Sequence, residues 1–193
     1  MTLFLIVIAL IVLYFIFKKK KKPEIIPNIP SREEQKTISI GYDDSDTGFK
    51  HYMVFDTETD GLPIDKNGDP NDLDNWPRIV QLCWMILDSD FKLVEIKDRY
   101  IKVNFEIDPE AIKIHGITNE KTETEGVLIN EVMEEFLNDL ETTEILVAHN
   151  LDFDVPIIDA ELLRLGKKEE SIASEKYVLS SMVLELPDNM ENI

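Results

Sequence analysis

Residues 54–63 read V-F-D-T-E-T-D-G-L-P and are the most informative ten residues of the chain. Its carboxylates Asp56 and Glu58 stand two residues apart at the end of an apolar run. Side chains two apart on a β-strand point to the same face, so both acids are aimed at one point. Carboxylate oxygens suit Mg²⁺ or Mn²⁺, and enzymes that cut phosphodiesters hold two such ions roughly 3.5–4 Å apart. The stretch therefore predicts half of a metal site.

The local context of the acid pair separates it from chance. The chain has 39 acidic residues among 193, so an acid-x-acid triplet also arises at random. Here the triplet follows the strand-like run 52–55 and precedes Gly61, a turn signal that lets the chain leave the sheet. This arrangement favours a carboxylate pair at the end of a strand.

A second acidic cluster follows about ninety residues later. Residues 145–148 read I-L-V-A, typical of a buried strand, and residues 149–154 continue H-N-L-D-F-D. Pro156 fits the first turn of a helix, and apolar residues at helical spacing continue to Gly166. Asp154 is thus predicted at a strand-to-helix junction. Two interpretations stay open at this point, a helix cap and a metal ligand.

Together the clusters resemble the DEDD superfamily of 3′–5′ exonucleases, in the branch of the epsilon proofreading subunit of bacterial DNA polymerase III. Asp56 and Glu58 match the first motif of that family, and Asp154, within N-L-D-F-D at residues 150–154, matches the second. Residues 109–118, P-E-A-I-K-I-H-G-I-T, resemble the segment between these motifs. The resemblance runs from about residue 52 to residue 182.

The resemblance implies an α/β fold, a ribonuclease H-like mixed sheet flanked by helices. It also implies a metal-dependent exonuclease that releases nucleotides from nucleic-acid 3′ ends; DNA is favoured over RNA as the substrate, and the sequence does not decide between them. Asp56, Glu58 and Asp154 are then the catalytic residues and the ligands of two Mg²⁺ or Mn²⁺ ions, with Asp56 shared between the metals. The activity would be that of a hydrolase acting on phosphodiester bonds.

Four further residues are expected to contact the substrate. The resemblance places Thr59, Leu62 and Asn150 around the 3′-terminal nucleotide and adds His115 from the intervening segment. Three of them have a structural alternative on the residues alone: turn packing for Leu62, a strand-end cap for Asn150, and a helix stop for the His-Gly pair that contains His115.

The sequence departs from the family after the second motif. The third motif of the family, a His followed five residues later by Asp on a late helix, supplies the general base and the fourth carboxylate. None of the 39 residues after Asp154 is a His. General-base catalysis typically contributes about 10²–10⁴-fold, so we expect weak or no activity from this chain alone.

The N-terminus carries a separate signal. Residues 1–17 hold no charged side chain, and five lysines follow at residues 18–22. Seventeen helical residues span roughly 25 Å, near the lower limit for a hydrocarbon core of about 30 Å. We expect a transmembrane anchor at 1–17, since no basic residue precedes the apolar run and no cleavage site follows it, as a signal peptide would require. The lysines then place the rest of this single-pass membrane protein in the cytoplasm.

The remaining chain divides into a linker and one domain. Residues 18–50 are predicted to be a basic stop and a flexible linker, with prolines at 23, 27 and 30. Residues 51–193 form the exonuclease-like domain, C-terminally incomplete. This domain holds 12 Lys or Arg against 33 Asp or Glu, a formal charge of −21. Such a charge excludes a broad basic face for long nucleic acid and favours local binding of a strand end.

Hydrophobic periodicity predicts the elements of this domain. Strands are expected at 51–56, 78–87, 92–103, 144–149 and 177–182, with the first in the interior of the sheet, and helices at 127–140 and 154–165. The acidic loop 64–77 is either a flap or a solvated insertion. Since no helix is predicted after the last strand, we expect an apolar face that stays partly open and a protein partner that covers it.

Three classes of function remain open from the sequence. The first is a membrane-anchored exonuclease. The second is a non-catalytic module that binds nucleic-acid ends or a protein on the same fold. The third is a membrane-tethered scaffold whose carboxylates only provide solubility.

Overall fold

The residues that the structure describes form a six-stranded mixed sheet with helices. The computed structural model describes residues 26–27, 51–69, 71–167, 171–174 and 176–180. The strands are β1 (Ile26–Pro27), β2 (His51–Thr59), β3 (Ile79–Asp88), β4 (Leu93–Tyr100), β5 (Ile145–Ala148) and β6 (Tyr177–Ser180). The helices are α1 (Pro109–His115), α2 (Asn119–Glu125), α3 (Ile129–Glu141) and α4 (Leu151–Arg164). This confirms the predicted mixed sheet flanked by helices.

Strand β2 lies in the interior of the sheet, as predicted. The strand order is β1-β6-β5-β2-β3-β4. β2 pairs with β3 in antiparallel and with β5 in parallel orientation. The ends of β2 and β5 that lead into Asp60 and His149 therefore lie at the same edge of the sheet. The two acidic clusters meet at this edge because both follow directly from these neighbouring strands.

One face of the sheet packs on α3. The ring of Phe136 from α3 lies 5.7 Å from the ring of Phe55 on β2 and 5.5 Å from Trp84 on β3. All three side chains are almost fully buried. The apolar spacing that predicts a helix at 127–140 thus corresponds to the buried side of α3. The bounds of α3 differ from the predicted ones by one or two residues.

The interior strands of the sheet are also buried on the opposite face, whereas Ile96 of the edge strand β4, which pairs with Met85, is 42% exposed. Val54, Met85 and Val147 alternate with the α3-facing residues of their strands, and none of them is more than 4% exposed. The expectation that this apolar face stays partly open is therefore wrong for these side chains. At β4 the apolar surface stays open, and a protein partner that covers it stays a prediction.

Two residues of the predicted linker belong to the sheet. Ile26 and Pro27 pair with Val178 and Tyr177 of β6, so β1 is an edge strand. A proline is compatible with this position because an edge strand leaves one side of its backbone unpaired. The flexible-linker prediction is thus incorrect at these two residues. The predicted anchor at 1–17 lies outside the described residues, and no helix within them is long and apolar enough to cross a membrane.

The acidic loop between β2 and β3 is held in place by hydrogen bonds. Asn75 closes it by accepting from the Asp65 backbone N–H at 2.7 Å and donating to the Asp65 carbonyl at 2.9 Å. The indole of Trp76 donates to the Asp69 carbonyl at 3.0 Å. Arg164 of α4 donates to the carbonyls of Leu73 and Trp76 at 2.6 Å. These contacts favour a fixed insertion over a flap.

Candidate active site

Strand β2 carries the first two carboxylates of the site. Asp56 and Glu58 lie on the face opposite Phe55 and are half-buried. In the antiparallel ladder Asp56 stands opposite Cys83 and Glu58 opposite Gln81. The side-chain amide of Gln81 donates to Asp98 at 2.5 Å. The two acids therefore project from a strand whose neighbours fix its position on both sides.

Asp154 joins the first motif through Thr57. Helix α4 begins at Leu151, so Asp154 lies in its first turn, and its side chain does not cap the helix. Instead Asp154 Oδ1 accepts two hydrogen bonds from Thr57, from the backbone N–H at 3.0 Å and from the hydroxyl at 2.7 Å. Asp154 is 2% exposed. The helix-cap interpretation is wrong, and the buried carboxylate is turned toward β2.

Burial raises the pKa of all three carboxylates, and repulsion from a neighbouring carboxylate adds to the rise at Asp56 and Asp154. Burial, with repulsion from Asp154 and Glu58, raises the pKa of Asp56 to about 8. Burial also raises the pKa of Asp154 to about 6, against the hydrogen bonds from Thr57 and the backbone, which favour its charged form. The pKa of Glu58 is raised by burial as well. Asp56 is therefore largely neutral at pH 7 in the metal-free protein, and a bound cation would favour its ionised form.

The donor set fits a divalent cation. Carboxylate oxygens in a partly buried site are the ligands that Mg²⁺ and Mn²⁺ prefer, and a cation would relieve the mutual repulsion. Within the described part of the chain, no group of three or more His, Cys, Asp or Glu side chains is arranged so that it could hold a metal ion.

Two of the predicted substrate contacts are engaged within the protein. The Thr59 hydroxyl donates to the Gly61 carbonyl at 2.7 Å, and Thr59 is 6% exposed. His115 Nε2 lies 3.2 Å from the Thr59 carbonyl, and its Nδ1 accepts from the Ile117 N–H at 2.9 Å. The neutral tautomer with a proton on Nε2 satisfies both contacts. The His115 ring thus fastens the α1–α2 connection to the end of β2.

The other two predicted contacts remain accessible. Leu62 is 80% exposed in the loop after β2. Asn150 precedes α4 and its side chain makes no capping hydrogen bond to the helix, so the strand-end cap alternative is not what the structure shows. Both side chains lie within three to four residues of a site carboxylate or of Thr59 along the chain.

Sequence reasoning did not select two residues of this region. Thr57 stands between Asp56 and Glu58 in the sequence and was not predicted to have a role, yet its hydroxyl donates to Asp154. Ile114 on α1 is 78% exposed although it is a large apolar side chain beside His115. A β-branched hydroxyl residue between two strand acids was a signal for the first. No sequence signal marked Ile114, because its spacing fits a core position equally well.

The comparisons with known proteins bear on the segment that builds this site. A family model described as Exonuclease (RNase_T) matches residues 53–188. Over 67 residues, 35% of this chain, the sequence is 42% identical to the DNA polymerase III subunit epsilon of Pasteurella multocida, and that match covers 26% of the relative. Over 128 residues, 62% of this chain, it is 34% identical to the same subunit of Buchnera aphidicola subsp. Acyrthosiphon pisum, covering 47%. The chain thus spans less than half of these relatives.

Solved structures show the same fold. Exonuclease I in complex with the inhibitor BCBP superposes with a TM-score of 0.57 at 17% identity, over 70% of this chain and 29% of that chain. Escherichia coli exonuclease I in complex with a dA16 oligonucleotide gives 0.53 at 17% identity, over 68% and 28%. The resemblance inferred from the two acidic motifs is thereby confirmed. Because the family match extends over more than half of the chain and includes Asp56, Glu58 and Asp154, the chain belongs to the RNase T exonuclease family.

Proposed function

We propose that this protein is a metal-dependent 3′–5′ exonuclease that releases nucleotides from DNA 3′ ends. The observation that carries the proposal is the pair of hydrogen bonds from Thr57 to Asp154, which brings the acids of the two motifs together. Family membership supports the reaction class. The raised pKa values of Asp56 and Asp154, caused first by burial and then by repulsion from a neighbouring carboxylate, support a site that binds positive charge.

Asp56, Glu58 and Asp154 would hold Mg²⁺ or Mn²⁺. The bound cation would supply water activation and stabilisation of charge on the phosphate. The fold positions these three ligands. Asp56 and Glu58 are placed by β2, and Asp154 is oriented by its hydrogen bonds from Thr57. No histidine follows His149 in these 193 residues, so we propose that their activity without a further general base is weak.

The substrate is proposed to be a single-stranded DNA end. The formal charge of −21 in residues 51–193 disfavours extended contact with the backbone of nucleic acid. Leu62 and Asn150 are accessible beside the carboxylates and suit contact with a base and with a sugar or phosphate. One solved structure of the same fold, E. coli exonuclease I, is in complex with a dA16 oligonucleotide.

Nucleotide release from a purified chain tests the proposal. With Mn²⁺ and a 5′-labelled single-stranded oligonucleotide, we expect slow shortening from the 3′ end that is abolished in Asp56→Ala and in Asp154→Ala. Glu131→Gln, which removes an exposed carboxylate on α3, is the matched control and should retain activity. Metal-dependent oligonucleotide binding without any shortening would support the non-catalytic module, and absence of both would leave only the scaffold.

We further propose that residues 1–17 anchor the domain in a membrane with the domain on the cytoplasmic side. The apolar run and the five lysines after it support this placement. Fractionation of cells that express a C-terminally tagged chain is the test. We expect the tag in the membrane fraction, from which detergent but not high salt releases it. Recovery of the tagged protein in the soluble fraction with residues 1–22 cleaved off would contradict the anchor.

A further inference from the structure

Two arginines at the far end of α4 share one buried carboxylate. Glu161 is 1% exposed, and its Oε1 accepts from Arg78 Nε at 2.6 Å and from Arg164 Nη1 at 3.1 Å. The other carboxylate oxygen, Oε2, has no hydrogen-bond partner among the described residues. A buried charge is tolerated only when it is paired, so Glu161 fixes both guanidinium groups.

The two arginines differ in what remains available. Arg164 is 15% exposed, and both of its Nη atoms donate within the protein, Nη2 to the carbonyls of Leu73 and Trp76 and Nη1 to Glu161. Arg78 is 38% exposed and uses only Nε for Glu161. Neither Nη of Arg78 has a hydrogen-bond partner in the part of the chain that the structure describes. The guanidinium of Arg164 is therefore used within the fold, whereas the two Nη groups of Arg78 can donate to an acceptor on a ligand.

Packing holds the Arg78 guanidinium in one orientation. Its central carbon lies 5.3 Å from the centroid of the Phe105 ring, within the range of a cation–π contact. The Arg78 backbone N–H also donates to Asp60 Oδ1 at 2.6 Å, and the Asp60 N–H donates back to the Arg78 carbonyl at 2.9 Å. The side chain is thus fixed on one side by Glu161 and on one face by Phe105 before any ligand binds.

Arg78 lies just beyond the site along the same pair of strands. Glu58 stands opposite Gln81 in the β2–β3 ladder. Arg78 is three residues before Gln81 in the chain, at the end of the ladder where β2 ends and β3 begins. At about 3.4 Å per residue the separation along the strand is roughly 10 Å. That distance corresponds to about three nucleotides of a stacked strand, whose phosphates are about 3.4 Å apart along the axis, and to fewer in an extended one.

We propose that Arg78 binds a backbone phosphate of the single-stranded substrate within about three nucleotides of the bond that is cut. A planar guanidinium with two free N–H groups on one edge matches two phosphate oxygens. In a domain of charge −21, a single fixed contact of this kind also favours the nucleic-acid strand locally without a basic face. The inference rests on the proposed function, because it concerns the same substrate.

Substrate length separates this role from others. The full chain with Mn²⁺ is given a chromogenic nucleotide ester with a single phosphodiester and a single-stranded 12-nucleotide DNA. For Arg78→Gln we expect KM for the oligonucleotide to rise about five- to twentyfold, while kcat/KM for the ester stays within twofold of wild type. Arg99→Gln is the matched control, since Arg99 is a similarly exposed arginine paired with Glu135 on α3, and should change neither.

Equilibrium binding keeps the test independent of catalysis. If the wild type cleaves neither substrate, the proposed exonuclease function fails, and fluorescence anisotropy of the labelled oligonucleotide still decides the role of Arg78. We then expect Arg78→Gln to bind the oligonucleotide five- to twentyfold more weakly. The slope of the logarithm of the affinity against the logarithm of the salt concentration should decrease by the amount that corresponds to about one phosphate contact. Unchanged oligonucleotide affinity, or an equal loss on the ester, overturns the inference.

A second variant covers loss of the fold. If circular dichroism shows that Arg78→Gln is unfolded because Glu161 loses a partner, Arg78→Lys retains a positive charge beside Glu161 and replaces the two free N–H groups with one ammonium. We expect its KM or Kd for the oligonucleotide to rise about two- to fivefold with the ester unaffected. A folded Arg78→Lys with wild-type oligonucleotide affinity contradicts phosphate binding.

Discussion

The hydroxyl of Thr57 donates to Asp154 Oδ1 at 2.7 Å, and the backbone N–H of the same residue donates to the same oxygen at 3.0 Å. Thr57 is 5% exposed and Asp154 is 2% exposed, so no water competes for this pair. The residue between the two strand acids thus sets the orientation of the acid from α4. The arrangement links motifs that are almost a hundred residues apart in the chain.

Thr57→Val tests this link. Valine keeps the shape and the backbone donor but removes the hydroxyl, and a hydrogen bond to a charged group contributes about 1.5–3 kcal/mol. We expect Mn²⁺ affinity, measured by isothermal titration calorimetry, to fall by about 10–100-fold, as is typical when a residue that orients a ligand is lost. The change should be larger above pH 6, where Asp154 is ionised.

The serine variant is the control for this first prediction. Thr57→Ser restores the hydroxyl donor in the same place and should recover most of the Mn²⁺ affinity. Equal affinities in the valine variant and the wild type would show that the hydroxyl does not orient Asp154. A loss in the serine variant as large as that in the valine variant would show that the hydroxyl alone does not restore the orientation of Asp154 and that the threonine methyl group, which only serine lacks, is also needed.

The sequence predicted the elements of this domain better than the contacts between them. Strong periodicity identified β3 and α3, because long buried strands and amphipathic helices leave repeating apolar patterns. It did not predict α2, whose sequence N-E-K-T-E-T-E buries only Thr122 and so has no apolar stripe. The two-residue strand β1 left no pattern either, since its pairing depends on β6 and not on its own composition.

The candidate site shows the same limit. The spacing of Asp56 and Glu58 follows from strand geometry, so the sequence was sufficient to place them together. The roles of His115 and Thr57 depend on which carbonyl or carboxylate faces them after folding, and neighbouring side chains of similar type leave the same sequence signal. Resemblance to a family gave His115 a substrate role, whereas both nitrogens of its ring bond within the protein.

Asp56 makes the stability of the metal-free protein depend on pH. Its pKa is about 8 in the folded protein against a usual value of 3.8, so its contribution to stability is complete below pH 4 and is lost as pH rises through 8. We expect Asp56→Asn, in the presence of a chelator, to raise Tm at pH 8 by several degrees and to have little effect at pH 4. Scanning calorimetry at both values measures this, with Glu131→Gln as the control that removes an exposed carboxylate.

The same raised pKa makes metal binding compete with protons. Between about pH 6 and pH 8 Asp56 is largely protonated, and a cation must displace that proton in order to bind. We expect the Kd for Mn²⁺ to fall by up to about tenfold per pH unit over this range and then to level off. Calorimetry in two buffers of different ionisation enthalpy counts the released protons. A Kd that is constant from pH 6 to pH 8 would rule out Asp56 as a ligand.

His115→Ala tests the fastening of α1 to the end of β2. The variant leaves the Ile117 N–H, on a residue that is 2% exposed, without its acceptor, at a cost of about 1–3 kcal/mol. Burial lowers the pKa of His115 below its usual 6.5, so the contribution of the neutral ring is complete above pH 6.5 and is lost as pH falls through the lowered value. Urea unfolding at pH 7.5 and pH 5 should therefore show a large difference from wild type at the first value and a smaller one at the second.

His51→Ala is the control, because His51 also contacts a carbonyl, that of Thr142 at 3.3 Å, but lies at the opposite end of β2. A difference that does not change with pH would mean that the ring contributes only packing.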